Sequence, residues 1–219
     1  NAIGELVFAH LFGITRFLHQ SNRDMPLEGD SRFNTLKKHF AKGTELRGKT
    51  IGIVGFDNIG QEVAKLALGV GMNVIATDTS IEKAKITIPF FNGQSASIEI
   101  ETISFDEVLK QSDFITLHLS NQEDYILEET QFNNMKDGVG IINTSQGNLI
   151  NEVALVNAIE SGKVKYAGLD VFENEPTPAI KLLMNPDISL TPHIGASTVE
   201  AEERTGIELA NQIIKLLSE

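Results

Sequence analysis

The stretch whose residue types and spacing carry the most chemistry is Gly55-Phe56-Asp57-Asn58-Ile59-Gly60, set between TIGIV and the apolar-periodic run EVAKLALGVG. A glycine-bounded turn that leaves a strand and opens a helix gathers backbone N–H groups at the positive end of the helix dipole, where a dinucleotide pyrophosphate can be held. Gly55 permits the tight turn, Gly60 permits close packing of helix on strand, and the N–H groups around Asn58 and Ile59 would face the pyrophosphate. Asp78 ends the following strand, MNVIATD, eighteen positions beyond Gly60. Its carboxylate would accept the adenosine ribose hydroxyls and repel a 2′-phosphate, so NAD is expected rather than NADP. The middle position departs from the fingerprint, because Asp57 stands where a glycine would let backbone approach the phosphates. A carboxylate about 4 Å from a phosphate charge costs roughly 4 kcal/mol at an effective dielectric near 20, against about 0.3 to 1 kcal/mol returned by a helix terminus. Either Asp57 caps the helix itself, using the N–H groups a phosphate would have taken, or the loop swings aside and still binds NAD.

Three later strand ends, IINTSQGNLINEVAL, YAGLDVFENEPTP and ISLTPHIGASTVEAEER, place polar residues where an open α/β sheet puts its ligand crevice. Together, GLDVFENEPTPAI and TPHIGASTVEA resemble the signature segments of the D-2-hydroxyacid dehydrogenase family, and their wording is nearest to members that oxidise 3-phosphoglycerate to 3-phosphohydroxypyruvate in serine biosynthesis. The resemblance covers essentially the whole chain. It implies that His193 exchanges a proton with the substrate hydroxyl, a role suited to imidazole, and that Glu175 orients the ring and favours its charged form. It also implies that Asp170 contacts the nicotinamide amide, that Thr144 and Ser145 line the nicotinamide ribose, and that Gly195 belongs to the cofactor site. Taken singly, His193 reads as a satisfied loop histidine, Asp170 as a cap, and Thr144 and Ser145 as turn hydrogen-bonders. The family's substrate-gripping arginine is replaced by Gln146, a catalytic position that keeps N–H donors and loses the charge and two-pronged geometry of a guanidinium. No metal site is expected.

The elements that must position these residues read as an α/β fold, a doubly wound parallel sheet of Rossmann type flanked by interdomain helices. Short apolar runs alternate with helical patterns of about 8 to 12 residues from Thr50 onward, as a sheet buried on both faces requires. An inserted β-hairpin, KITIPFF and SASIEIETI, is expected to close through a tight type I′ turn at Asn92-Gly93. Residues 1 to 20 have helical apolar spacing, whereas SNRDMPLEGDSRFNTLKKHFAKGTELRGK, broken by Pro26, Gly29 and Gly43, reads as an extended arm. The expected division is 1–45 as interdomain helix and dimerisation arm, 46–198 as NAD-binding domain, and 199–219 as a helix returning toward a substrate domain. Most of that substrate lobe is expected to lie outside these residues. The helices at 1 to 20 and 199 to 217 would then expose apolar faces, which predicts a homodimer.

A net charge of −12 over 219 residues disfavours nucleic acid as a partner. The most apolar segment carries Glu5, His10 and Arg16, so no membrane span is expected, and the lack of cysteine agrees with the cytoplasm. The expected partner is a small 2-hydroxy acid. Competing readings are a non-catalytic dimeric NAD sensor or scaffold, favoured by Asp57 and Gln146, and a dimerisation module that binds no nucleotide.

Overall fold

The computed structural model describes residues 1–120 and 122–218. In chain order the elements are α1 (Ala2–Thr15), α2 (Leu18–His39), β1 (Thr50–Val54), α3 (Asn58–Val70), β2 (Asn73–Thr77), β3 (Lys83–Pro89), β4 (Ser95–Glu101), α4 (Phe105–Gln111), β5 (Phe114–Leu117), α5 (Glu129–Asn134), β6 (Val139–Asn143), α6 (Glu152–Glu160), β7 (Val164–Leu169), α7 (Ile180–Leu183), β8 (Ile188–Leu190) and α8 (Val199–Ser218). Six strands form one sheet in the order β2-β1-β5-β6-β7-β8, and each neighbouring pair is parallel. The expected doubly wound class is what the chain adopts. β5 and β6 are buried at every position and β1 at all but Thr50, because helices cover both faces.

One face is sealed by α1 and α3 around Val7, Leu11, Ile14, Ile51, Ile53, Val63 and Ala67. The other is sealed by α4, α5 and α6 around Val108, Leu109, Ile115, Phe132, Ile141 and Leu155. The strand order reverses between β1 and β5, since the chain leaves β1 toward β2 and returns to add β5 on the opposite side. The crevice above that reversal is where open α/β sheets take ligands.

Three expectations need correction. The segment after residue 20 is helical as far as His39 rather than extended: α2 runs for 22 residues with Pro26 inside it and a local break at Arg32, whose φ is −126°. Of its residues only Leu36 is buried, so the carbonyl that Pro26 leaves without a donor can be hydrated. An Arg32–Glu28 ion pair at 2.7 Å and the basic last turn Lys37, Lys38, His39 favour the helix locally. Phe17, at φ 56°, makes the left-handed corner between α1 and α2. The second correction concerns α1, whose apolar residues Val7, Phe8, Leu11 and Ile14 are buried against the sheet rather than exposed. On α8 the exposed face is as expected, with Ile207, Leu209, Ile213 and Leu216 open to solvent.

The third correction is the hairpin turn. Only Gly93 has positive φ there, Gly93 N–H donates to Phe90 O at 3.0 Å, and Phe90 N–H donates to Gln94 O at 2.8 Å. That is a three-residue loop closed by a glycine bulge rather than a type I′ turn, which would need positive φ at Asn92 as well. Among the described residues, no helix is long and apolar enough to cross a membrane.

Candidate active site

The glycine turn leaves β1 at the strand reversal. Gly55 has φ 92°, and a Cβ there would lie 2.4 Å from His118 O at the end of β5, so a side chain at this point would force the two strand ends apart. A Cβ on Gly60 would lie 2.2 Å from Gly55 O, which is the close helix-on-strand packing the spacing implied. Asp57 is the N-cap of α3. Its Oδ1 accepts the N–H groups of Ile59 at 3.0 Å and Gly60 at 3.4 Å. Of the two alternatives open for Asp57, this is self-capping, and the Ile59 N–H expected to face a pyrophosphate is turned onto the carboxylate instead. Asn58 is the first residue of α3 and is exposed.

Asp78 also faces partly inward. Its Oδ2 accepts Phe56 N–H at 2.7 Å, while Oδ1 accepts Ser80 N–H, the Ser80 hydroxyl and Ile81 N–H. Partial burial opposes its charge, but these donors outweigh it and hold the carboxyl below the usual range. Asp78 therefore remains an anion at the end of β2, and it ties the second strand to the glycine turn.

The ends of β6, β7 and β8 form the other half of the crevice. After β6, Asn143 Nδ2 donates to Gln146 O at 2.8 Å and Asn143 Oδ1 accepts Ser145 N–H at 3.1 Å, while the Ser145 hydroxyl donates to Leu119 O. A Cβ on Gly147 would lie 1.9 Å from Phe172 O, so the 146–149 turn rests directly on the segment that carries Glu175. A second link holds that contact: Glu152 N–H donates to Glu173 Oε1 and Glu173 N–H to Glu152 Oε1, each at 2.8 Å.

After β7, Asp170 is buried. Its Oδ1 accepts the Thr191 hydroxyl at 2.6 Å and Ile194 N–H at 2.9 Å, and its Oδ2 accepts Gly195 N–H at 2.8 Å. His193 sits at φ 55°, a left-handed conformation uncommon for a side-chain-bearing residue, with its N–H donating to Asp170 O at 2.8 Å. His193 Nδ1 lies 2.8 Å from Glu175 Oε2, and Glu175 Oε1 accepts Phe172 N–H at 3.1 Å. The hydrogen bond that His193 donates to Glu175 raises the His193 pKa, and the same bond lowers that of Glu175, so both shifts favour the charged pair. The pair borders a mostly apolar cavity of about 370 Å³ with Phe172, Pro178, Leu183 and Leu190.

Thr144 Oγ1 and Gln146 Oε1 are buried with no hydrogen-bond partner among the described residues. An unpaired buried polar atom costs about 1 to 3 kcal/mol and is uncommon. This end of the crevice therefore fits a polar ligand able to pair with them, as the nicotinamide end of NAD would. The phosphate end fits less well, because Asp57 occupies two of the donors.

Residue types and spacing did not single out His10 or Thr191, which contact one another across 181 positions at 3.0 Å. A histidine on the apolar stripe of α1 was the available signal. His118, also buried and bonded to the Thr116 hydroxyl at 2.9 Å, is pushed by burial to about 3 and is a neutral core side chain.

A parallel sheet with a glycine turn at its strand reversal and a carboxylate-supported histidine across the crevice defines a nucleotide-dependent enzyme domain of the dehydrogenase type. The chain belongs to the family of the D-isomer specific 2-hydroxyacid dehydrogenase, NAD binding domain, whose model matches residues 8–195. NAD is accordingly the cofactor of this domain. The chain is 47% identical over 186 residues to a hydroxypyruvate reductase of Thermotoga maritima, covering 83% of this chain and 57% of that protein. It is 38% identical over 184 residues to a D-3-phosphoglycerate dehydrogenase of Mycobacterium leprae, covering 83% of this chain and 33% of that protein. Its fold matches a glyoxylate reductase from Paecilomyes thermophila with a TM-score of 0.81 and 35% identity, over 97% of this chain and 61% of that one. The chain thus spans between about a third and three fifths of the length of these relatives.

Proposed function

We propose that the protein containing this chain is an NAD-dependent dehydrogenase interconverting a short D-2-hydroxy acid and its 2-keto acid, with 3-phosphoglycerate and 3-phosphohydroxypyruvate as the substrate pair and serine biosynthesis as its setting. The observation that carries this reading is the His193–Glu175 pair at 2.8 Å, with His193 held in a left-handed backbone conformation at φ 55°. Bound NAD would supply the hydride acceptor in oxidation and the donor in reduction. With Nδ1 engaged by Glu175, His193 Nε2 takes the hydroxyl proton as the substrate's C–H is oxidised, and returns it to the carbonyl oxygen in the reverse direction. Glu175 balances the imidazolium so formed. The Gln146 amide offers the substrate carboxylate a neutral donor. Gly55, Asn58, Ile59, Gly60 and Asp78 make the adenosine and pyrophosphate half of the site, and Thr144, Ser145, Asp170 and Gly195 the nicotinamide half.

In this reading α2 and residues 199–219 face the remaining lobe and a second subunit, whereas α1 packs on this domain's own sheet. The exposed apolar residues of α8, and Leu27 and Phe33 on α2, support a homodimer. A clean monomer in light scattering at micromolar concentration would count against it. Self-capping by Asp57 and the neutral Gln146 favour a second reading, an NAD-sensing dimeric scaffold with weak catalysis. Turnover of NADH with 3-phosphohydroxypyruvate separates the two. Turnover abolished by His193→Ala supports the enzyme, NADH binding without turnover supports the scaffold, and a preference for unphosphorylated hydroxypyruvate reassigns the substrate.

A further inference from the structure

We infer that His10, on α1, is a positioning residue for this site: it holds the Thr191 hydroxyl in the orientation that lets Asp170 fix the loop bearing His193. The bonding partners, with His10 neutral, set each proton. Asp170 Oδ1 can only accept, so the Thr191 hydroxyl spends its one proton on it at 2.6 Å. Thr191 Oγ1 must then accept from its other neighbour, which makes His10 Nε2, at 3.0 Å, an N–H donor. Burial keeps His10 neutral, so its Nδ1 is bare and accepts the Ser189 hydroxyl at 2.9 Å. The result is a directed chain from Ser189 through His10 and Thr191 to Asp170, whose two oxygens take the N–H groups of Ile194 and Gly195, the two residues that follow His193.

Two further observations show that the place of His10 is built. Gly168 on β7 leaves the gap that the imidazole occupies, since a Cβ there would lie 2.7 Å from His10 Cβ and 2.9 Å from its Cγ. His10 also sits on the apolar side of α1 among Val7, Leu11 and Ile14, where burial pushes its pKa to about 4 and keeps it neutral at pH 7. A leucine would suit such a position at no cost in polar desolvation, so the histidine is accounted for by its bonds. α1 thereby becomes the element that transmits its own position to the catalytic loop, through a bonded chain rather than through apolar packing alone. That the loop serves a cofactor and substrate rests on the function proposed above; that His10 sets the loop does not.

The test uses the whole chain and two variants, His10→Leu, which removes both bonds, and His10→Gln, whose amide can supply the donor to Thr191. Histidine ¹⁵N spectra should show His10 protonated on Nε2. Amide exchange at Ile194 and Gly195 should quicken at least about fivefold in His10→Leu, the factor one net hydrogen bond is worth, and return to within about twofold of the original in His10→Gln. Exchange at Ile53 and Ile141 in the sheet should change less than at these two amides. NADH affinity should fall in parallel, about threefold or more, in His10→Leu alone. A proton on Nδ1, unchanged exchange at Ile194 and Gly195, or an equal loss of protection across the sheet would each overturn the inference. If the original chain binds no NADH, the proposed function falls while the exchange data still decide the role of His10.

Discussion

Replacing Asp57 by glycine should strengthen NADH binding by roughly tenfold to a hundredfold. The carboxylate caps α3 through Ile59 and Gly60 N–H, so its removal returns two donors to the turn at the point where the helix begins. The loss of the cap costs only a few tenths of a kcal/mol when glycine is the replacement. The electrostatic ceiling on the gain is roughly 4 kcal/mol for charges about 4 Å apart at an effective dielectric near 20. Asp57 is exposed, so solvent and salt screening reduce that ceiling to about 1.4 to 2.8 kcal/mol, the tenfold to hundredfold range. Calorimetric titration with NADH at pH 7.5 measures it, and Asp57→Asn separates the two causes because it keeps a capping oxygen and removes the charge. Equal gains in both variants assign the effect to charge, whereas a gain confined to glycine assigns it to the occupied donors. Affinity within about threefold of the original chain in both variants would mean that Asp57 does not oppose the cofactor.

Gln146→Arg, made in the protein that contains this chain, should raise kcat/KM for the 2-keto acid by about tenfold to a hundredfold, because a charge-assisted bond to a carboxylate is worth about 1.5 to 3 kcal/mol; an unchanged value would mean that Gln146 does not meet the substrate. The His193–Glu175 pair should give a pH window of stability. The raised His193 pKa contributes fully below its ordinary value of 6.5 and fades as pH rises through the higher folded value, while the lowered Glu175 pKa contributes above 4.5 and is lost as pH falls through the lower folded value. The pair is therefore most stabilising between about 4.5 and 6.5, and an NMR titration of Glu175→Gln should bring the His193 pKa back down; no change would dissolve the pairing. Gly147→Ala should destabilise the chain by about 1 to 3 kcal/mol in urea denaturation, since its Cβ would strike Phe172 O, and full stability would mean the 146–149 turn does not rest there.

Much of this site was legible in the chain because its signals are local. The strand, glycine turn, helix and second strand from Thr50 to Thr77 each follow from periodicity and from two glycines whose side-chain hydrogens are all the space allows. Pairing of His193 with Glu175 followed from the resemblance of two signature segments, and the residues do meet. What stayed hidden depends on partners distant in sequence or on competition between similar local forms. Pro26 and Gly29 argue against a helix, yet α2 forms where water can satisfy the freed carbonyl and the Arg32–Glu28 ion pair favours the turn. Asn92-Gly93 favours a two-residue turn, but one extra residue between the strands selects the bulged loop. The apolar stripe of α1 pointed to an exposed face only because nothing local says that the sheet's β6 and β7 will take it. His10, Thr191 and Asp170 lie far apart along the chain and are joined only by the winding of the sheet.

If this domain holds NAD across the strand reversal, with the nicotinamide end at His193, NADH must perturb both halves of the crevice. A titration of the ¹⁵N-labelled chain with NADH tests it most directly. Shifts should saturate together at Gly55, Gly60 and Asp78 on one side and at Thr144, Asp170 and Gly195 on the other, and at lower NADH concentration in Asp57→Gly. Unchanged amides at both groups of residues with millimolar NADH, in the original chain and in Asp57→Gly alike, would contradict it.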